Sequence, residues 1–165
     1  MKKFVFILLV FGINTQIIAQ EIALAEVELV SNYNYLTAST TDMLAKPVKK
    51  LEASVLDYKM EKSSAEYDKG EIYSITFKIP EGSIVADFNN EGKIISTTEK
   101  YTNVRLPLEV IYAILEQYPN WSITNNTYYV NYHTNKGITK RLYKIKLVND
   151  AKSLDIKTDE NGNFL

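Results

Sequence analysis

The sequence predicts an α+β fold made of two tandem duplicated units, each a helix packed on an antiparallel β-meander. Apolar residues recur at helical spacing after Pro47 and again after Pro107. Segments with alternating apolar and polar residues follow each helix, as in half-buried strands. An acidic, glycine-bearing turn occurs twice, as "NNEG" ending at Gly92 and "DENG" ending at Gly162. A self-match of this kind indicates an internal repeat.

The two predicted helices begin with a proline in the first turn, where a missing N–H group costs no hydrogen bond. Each helix carries four apolar residues at a spacing that makes one stripe. The stripes are Val48, Leu51, Val55 and Tyr58 in the first helix and Leu108, Ile111, Leu115 and Tyr118 in the second. We expect both stripes to pack on a sheet, so that truncation of Leu115 would behave as a core truncation.

The predicted strands alternate with period two, which is typical of antiparallel strands with one solvated face. They read "EIYSITFKI", "SIVADF" and "GKIISTT" in the first unit, and "TYYVNYH", "ITKRLYKIKLV" and "KSLDIKT" in the second. Hairpin turns are predicted at 81–82 and 149–152. The domain boundaries follow: residues 47–100 form the first repeat and residues 101–165 the second.

The first twenty residues have the layout of a secretory signal peptide: two lysines, an apolar run from Phe4 to Ile13, and Ala19 before Gln20. Residues 1–20 are therefore predicted to be removed, and a retained membrane anchor is the alternative. Residues 21–46 are predicted to hold a leading strand, "IALAEVELV", and a linker. The expected location is periplasmic or secreted, without a membrane span after cleavage.

Composition limits the chemistry that this chain supports. The formal net charge is −1, and it becomes more negative once Lys2 and Lys3 are removed, so general nucleic-acid binding is not expected. Cysteine is absent and His133 is the one histidine, which leaves neither a thiol nucleophile nor a histidine-pair metal site. The segment Asp87–Gly92 partly matches a calcium loop, but Thr98 stands where the bidentate Glu belongs. We expect no catalytic residue, no metal and no cofactor.

Several motifs resemble those of a known group of exported proteins. They are "DFNNEGKII", the "LP" that opens a helix, "YPNW", and the terminal "DENGNFL". In these features the chain, from about residue 47 to residue 165, resembles the PepSY-like, beta-lactamase-inhibitor-like domains of Bacteroidetes-type bacteria. The resemblance implies tandem helix-on-sheet units. It implies no catalytic residues, and the lactamase-binding loops of the true inhibitors have no match here.

The remaining chemistry lies on the predicted outer surface of the second meander. If Tyr143, Ile145 and Leu147 face the core, the lysines between them face solvent. The preceding strand has two alternating sets of residues, one of which must face outward. The first set is Tyr128, Val130 and Tyr132, and the second is Tyr129, Asn131 and His133. We favour the second set as the outward one. The predicted partner-binding residues are Tyr129, Asn131, His133, Lys140, Lys144, Lys146, Asp155 and Lys157. They suit a protein or peptide partner in the cell envelope, and a structural scaffold with an ordinary solvated surface is the alternative.

Overall fold

The computed structural model describes residues 32, 34–38, 44–59 and 72–165, and it has two helices and six strands with defined bounds. The helices are α1 (Lys46–Leu56) and α2 (Leu108–Gln117). The strands are β1 (Tyr73–Ile79), β2 (Gly82–Phe88), β3 (Ile94–Thr102), β4 (Ser122–His133), β5 (Gly137–Asn149) and β6 (Lys152–Thr158). The predicted signal peptide and the predicted leading strand lie outside the described residues.

The six strands form one antiparallel sheet in the order of the sequence, from β1 at one edge to β6 at the other. The predicted α+β class, with antiparallel strands, is therefore confirmed. The two predicted meanders are parts of a single sheet, because β3 pairs with β4 from Ser96 opposite His133 to Thr102 opposite Thr127. The tandem duplication of whole units stays a prediction.

Helix α1 confirms its predicted stripe. Val48, Leu51 and Val55 are buried, and the half-buried Tyr58 packs against the core beside them. The helix contacts β1 and β2, and its first turn holds Pro47. One further residue is buried on this face, the carboxylate of Glu52.

In helix α2 the buried face lies one residue earlier in the sequence than the predicted stripe. Its fully buried side chains are Val110 and Ile114, whereas Leu108 and Leu115 are exposed, Leu115 by 57 %. The other two residues of the predicted stripe, Ile111 and Tyr118, are half-buried and pack against the core. The cause lies at the first turn. Pro107 is the N-cap residue and lies outside the helix, whereas Pro47 lies inside α1, so aligning the two prolines shifts the helices out of phase.

A helical segment occupies residues 34–38, where the sequence predicted part of a linker. Asn34, Leu36 and Thr37 are exposed, but Tyr35 is completely buried in the core. The segment lies on the helix-covered face of the sheet, because the Tyr35 ring meets the ring of Tyr132 edge-on at 5.2 Å between centroids. Over the part of the chain that the structure describes, no helix combines the length and apolar character that crossing a membrane requires.

Candidate functional site

The sheet has one face covered by the helices and one face open to solvent. We call the outward side chains of β1–β6 the open face. It carries six lysines and two aspartates among the described strand residues, so its formal charge is positive although the chain as a whole is acidic. The lysines are Lys78, Lys100, Lys140, Lys144, Lys146 and Lys157, and the aspartates are Asp87 and Asp155.

The structure places the predicted site residues of β5 and β6 together on the open face. Lys144 lies opposite Lys157 and Lys146 lies opposite Asp155 in the strand register, and all four are exposed. Lys140 is also exposed on β5, with Asn131 of β4 as its register partner. The inward residues of β5 are Tyr143, Ile145 and Leu147, which are buried as the alternation predicts.

The set of β4 residues that we favoured does face outward. Tyr129, Asn131 and His133 are half-buried, while the alternate residues on the strand are buried in the core. Lys140 Nζ lies 5.5 Å from the centroid of the Tyr129 ring, within reach of a cation–π contact. His133 lies at the turn end of β4, where its Nδ1 accepts the backbone N–H of Asn135 at 3.2 Å. It therefore serves the turn.

Two residues of the open face were not predicted. Lys100 on β3 and Leu142 on β5 are the register partners of Tyr129 on its two sides. Leu142 is half-buried, so an apolar patch of Tyr129 and Leu142 lies between Lys100 and the lysines of β5. The alternation of "TEKYT" indicates an outward Lys100. Its contact with Tyr129 could not be predicted in the same way, because β3 and β4 are separated in the chain by α2.

Ion pairing on the open face is sparse. Lys144 Nζ lies 3.3 Å from Asp155 Oδ2, and among the described residues it is the one lysine of the open face that forms a salt bridge. Both side chains are about half exposed, and a pair of this kind contributes about 0–1 kcal/mol. Asp87 instead accepts hydrogen bonds from the hydroxyls of Ser74 and Ser96, each at 2.6 Å. The lysine charges are therefore largely uncompensated and accessible to a partner.

The covered face holds a second group of polar residues that the sequence did not predict, which we call the carboxylate cluster: Tyr35, Glu52, Thr97, Glu99, Tyr101 and Arg141. Glu99 is completely buried and accepts hydrogen bonds from the hydroxyls of Tyr35 at 2.8 Å, Thr97 at 2.9 Å and Tyr101 at 2.9 Å. These donors favour the ionised form of Glu99 and oppose the effect of burial, which raises its pKa.

Glu52 is the second carboxylate of the cluster. Burial, followed by the nearby charge of Glu99, raises the pKa of Glu52 to about 8, although Arg141 and Lys49 act in the opposite direction. Burial also raises the pKa of Tyr35, which remains a hydrogen-bond donor as a result. Because the hydroxyl donors surround Glu99, we assign the negative charge of the pair to Glu99 and the proton to Glu52.

A tyrosine ladder continues the cluster toward β5. Tyr101, Tyr128 and Tyr143 are register neighbours on the covered face, and the rings of the last two stack at 4.5 Å between centroids. The ladder begins at Gly82, where a Cβ atom would stand 2.5 Å from the Tyr101 ring. Burial raises the pKa of Tyr143 to about 12, so its hydroxyl is protonated at neutral pH. A cleft of ≈ 240 Å³ lies beside Tyr128 and Tyr143.

Comparisons with known proteins do not assign a family to this chain. Neither protein-family models nor curated proteins give a match. Among solved structures, the chain is similar to a DUF2874 family protein from Bacteroides ovatus, with 17 % identity over 84 % of this chain and 82 % of that chain. The TM-score is 0.35, too low to establish a common fold. The PepSY-like, beta-lactamase-inhibitor-like resemblance stays a prediction.

Proposed function

We propose that this protein is an exported, non-catalytic binding module whose open face takes an acidic protein or peptide. The observation that carries the proposal is the set of six lysines against two aspartates on the open face, with the apolar patch of Tyr129 and Leu142 among them. Lysines steer an acidic partner toward the surface, and tyrosine supplies contact area at low entropic cost. The location would be periplasmic or secreted.

The weak Lys144–Asp155 pair supports this proposal. Because the pair contributes little to stability, a carboxylate of the partner can replace Asp155 at small cost. Lys146 and Lys157 stand next to it in register and would then contact the same acidic segment. A partner in the cell envelope, such as a hydrolase whose activity the module modulates, would provide such a segment. The competing function is a scaffold with no specific ligand.

The test compares two triple variants of the chain from residue 21 onward. In the first, Tyr129, Lys144 and Lys146 are replaced by Ser, which removes one tyrosine and two lysines from the open face. In the control, Tyr112, Lys46 and Lys50 are replaced by Ser, which removes the same residue types from exposed positions on the two helices. Both variants should fold. Five of the six positions are exposed, where a substitution usually changes stability by about 0.5 kcal/mol or less, and the half-buried Tyr129 lies outside the core cluster.

The measurement is affinity capture from an envelope extract, followed by titration of the captured protein against each variant. We expect the wild type and the control to bind, and the open-face variant to lose binding at least tenfold. The wild-type affinity should fall as ionic strength rises from about 0.05 to 0.3 M, because salt screens exposed charges. Equal capture by both variants would replace the proposal with the scaffold function.

A further inference from the structure

The helical segment 34–38 is attached to the covered face of the sheet through polar contacts at Tyr35 and at Ala38. Near its start, the Tyr35 hydroxyl donates to Glu99 Oε1 at 2.8 Å. At its end, Arg141 Nη2 donates to the Ala38 carbonyl oxygen at 2.9 Å. Glu99 and Arg141 lie in one cross-strand row of the sheet, each opposite Val130. The attachment of the segment therefore depends on the Glu99 carboxylate and the Arg141 guanidinium, which lie in the same row.

Each of the described elements that pack around this row contributes a titratable or charged group. The helical elements contribute Tyr35 from the segment and Glu52 and Lys49 from α1. The strands contribute Glu99 and Tyr101 from β3, Tyr128 and Tyr132 from β4, and Arg141 and Tyr143 from β5. The turn after β6 contributes Glu160. The Arg141 guanidinium lies 3.6 Å from Glu160, so its charge is already shared outside the cluster. Its charge lowers the pKa values of both Glu52 and Glu99, but it does not offset the effect of burial on either carboxylate.

We propose that the carboxylate cluster is a pH-controlled latch: ionisation of its second carboxylate releases segment 34–38 from the sheet while the remainder of the fold stays intact. The physical reason is the cost of two like charges in one buried site, which far exceeds that of one well-solvated charge. Release of the segment admits water to both carboxylates. It also exposes the ring of Tyr35, the one fully buried residue among those described in the segment.

The direction and range of the transition follow from the groups in the cluster. Glu52 holds its proton at neutral pH and titrates near pH 8 because of burial and the charge of Glu99. The pKa values of Tyr35 and Tyr101 are raised by burial and by Glu99, so both hydroxyls still donate at that pH. Arg141 keeps its charge throughout. The segment is therefore latched below about pH 8 and released above it.

The absence of cysteine from the chain makes the test direct. A single Asn34→Cys variant, exposed in the segment, takes a nitroxide label, and a Ser54→Cys variant takes the same label on the exposed side of α1. Electron paramagnetic resonance spectra are recorded from pH 6 to pH 9.5. We expect the label at position 34 to change from slow to fast motion with a midpoint near pH 8. The label at position 54 should not change.

Two further variants separate the latch from general loosening. Glu52→Gln, which keeps the shape and removes the titrating proton, should hold the segment immobile up to pH 9.5. Tyr35→Phe, which removes only the hydroxyl, should leave the label at position 34 mobile at pH 6. The proposal is overturned by an unchanged midpoint in Glu52→Gln, by an immobile segment in Tyr35→Phe, or by loss of order at positions 34 and 54 together.

Discussion

The two halves of the sheet contain the same type of turn, once after β2 and once after β6, but they differ in their helices. After β2 and after β6, the side-chain Oδ1 of the first turn residue, Asn89 or Asp159, accepts the backbone N–H groups two and four residues later, at 2.9–3.0 Å. The fourth residues, Gly92 and Gly162, have φ angles of 78° and 85°. An Asx side chain and a glycine suffice to specify this turn locally.

The helices depend on packing at longer range. In burial, Val48, Leu51 and Val55 of α1 correspond to Pro107, Val110 and Ile114, one residue earlier than the proline alignment predicts. In this alignment the buried Glu52 corresponds to the half-buried Ile111. The first half thus places a carboxylate next to Glu99 where the second half has an apolar side chain. The two halves therefore have the same turn motif, but the buried faces of their helices differ.

The largest effect should come from a pair of adjacent truncations in α2. Ile114 is fully buried, so Ile114→Ala should lower the free energy of unfolding by about 2–5 kcal/mol. Leu115 is mostly exposed, so Leu115→Ala should cost about 0.5 kcal/mol or less. Urea denaturation of both variants measures the difference. Equal losses would mean that α2 packs with the phase first predicted from its proline.

A pH-dependent difference should follow from Glu52. Its pKa is raised in the folded protein to about 8 from an ordinary value of 4.5, so the folded state binds more protons than the unfolded state between these values. The contribution of Glu52 to stability is therefore fully present below about pH 4.5 and is lost as pH rises toward 8. One extra bound proton makes the decrease about 2–3 kcal/mol from pH 5 to pH 7.

Glu52→Gln should remove most of that slope, which chemical denaturation at several pH values measures. Glu81→Gln, at an exposed turn position, is the matched control and should keep the slope. A wild-type protein that gains stability from pH 5 to pH 7 would contradict the assignment of the buried proton.

Local patterns were sufficient to predict part of this structure. The alternation in "YKIKL" identified the inward and outward residues of β5, and the glycine turns marked strand ends. The carboxylate cluster was not predictable in the same way. Glu99 is inward because it shares a face with Tyr101, and its hydroxyl donor Tyr35 is distant in sequence. Such a contact follows from the packed fold and leaves no periodic signal in the chain.

The second half should be sensitive to a methyl group at its turn. A Cβ atom on Gly162 would stand 2.6 Å from the Glu109 carbonyl oxygen and 3.1 Å from Ala113 Cβ, because this turn packs on α2. Gly137 has a similar φ of 68° but open space around it. Gly137→Ala should cost about 1 kcal/mol for the left-handed backbone, and Gly162→Ala about 1–2 kcal/mol more. Thermal melting distinguishes the two, and equal losses would show that the turn moves freely away from α2.

The smallest effect concerns the one chemical difference between the matching turns, Asn89 against Asp159. A hydrogen bond from the Asn163 side chain, followed by backbone N–H donors, lowers the pKa of Asp159. A lowered pKa in the folded state means that the second turn is stabilised above the ordinary pKa of an aspartate, and that this contribution is lost as pH falls below about 4. The turn is exposed, so solvent limits the effect to a fraction of a kcal/mol.

Amide hydrogen exchange at residues 161 and 163 should therefore quicken, relative to the same amides in Asp159→Asn, when pH is lowered from about 5 to 3. In the first turn, residues 91 and 93 should show no such change until Asn89→Asp introduces it. If both turns respond alike in the wild type, the acid sensitivity lies in the sheet as a whole and the comparison of the turns fails.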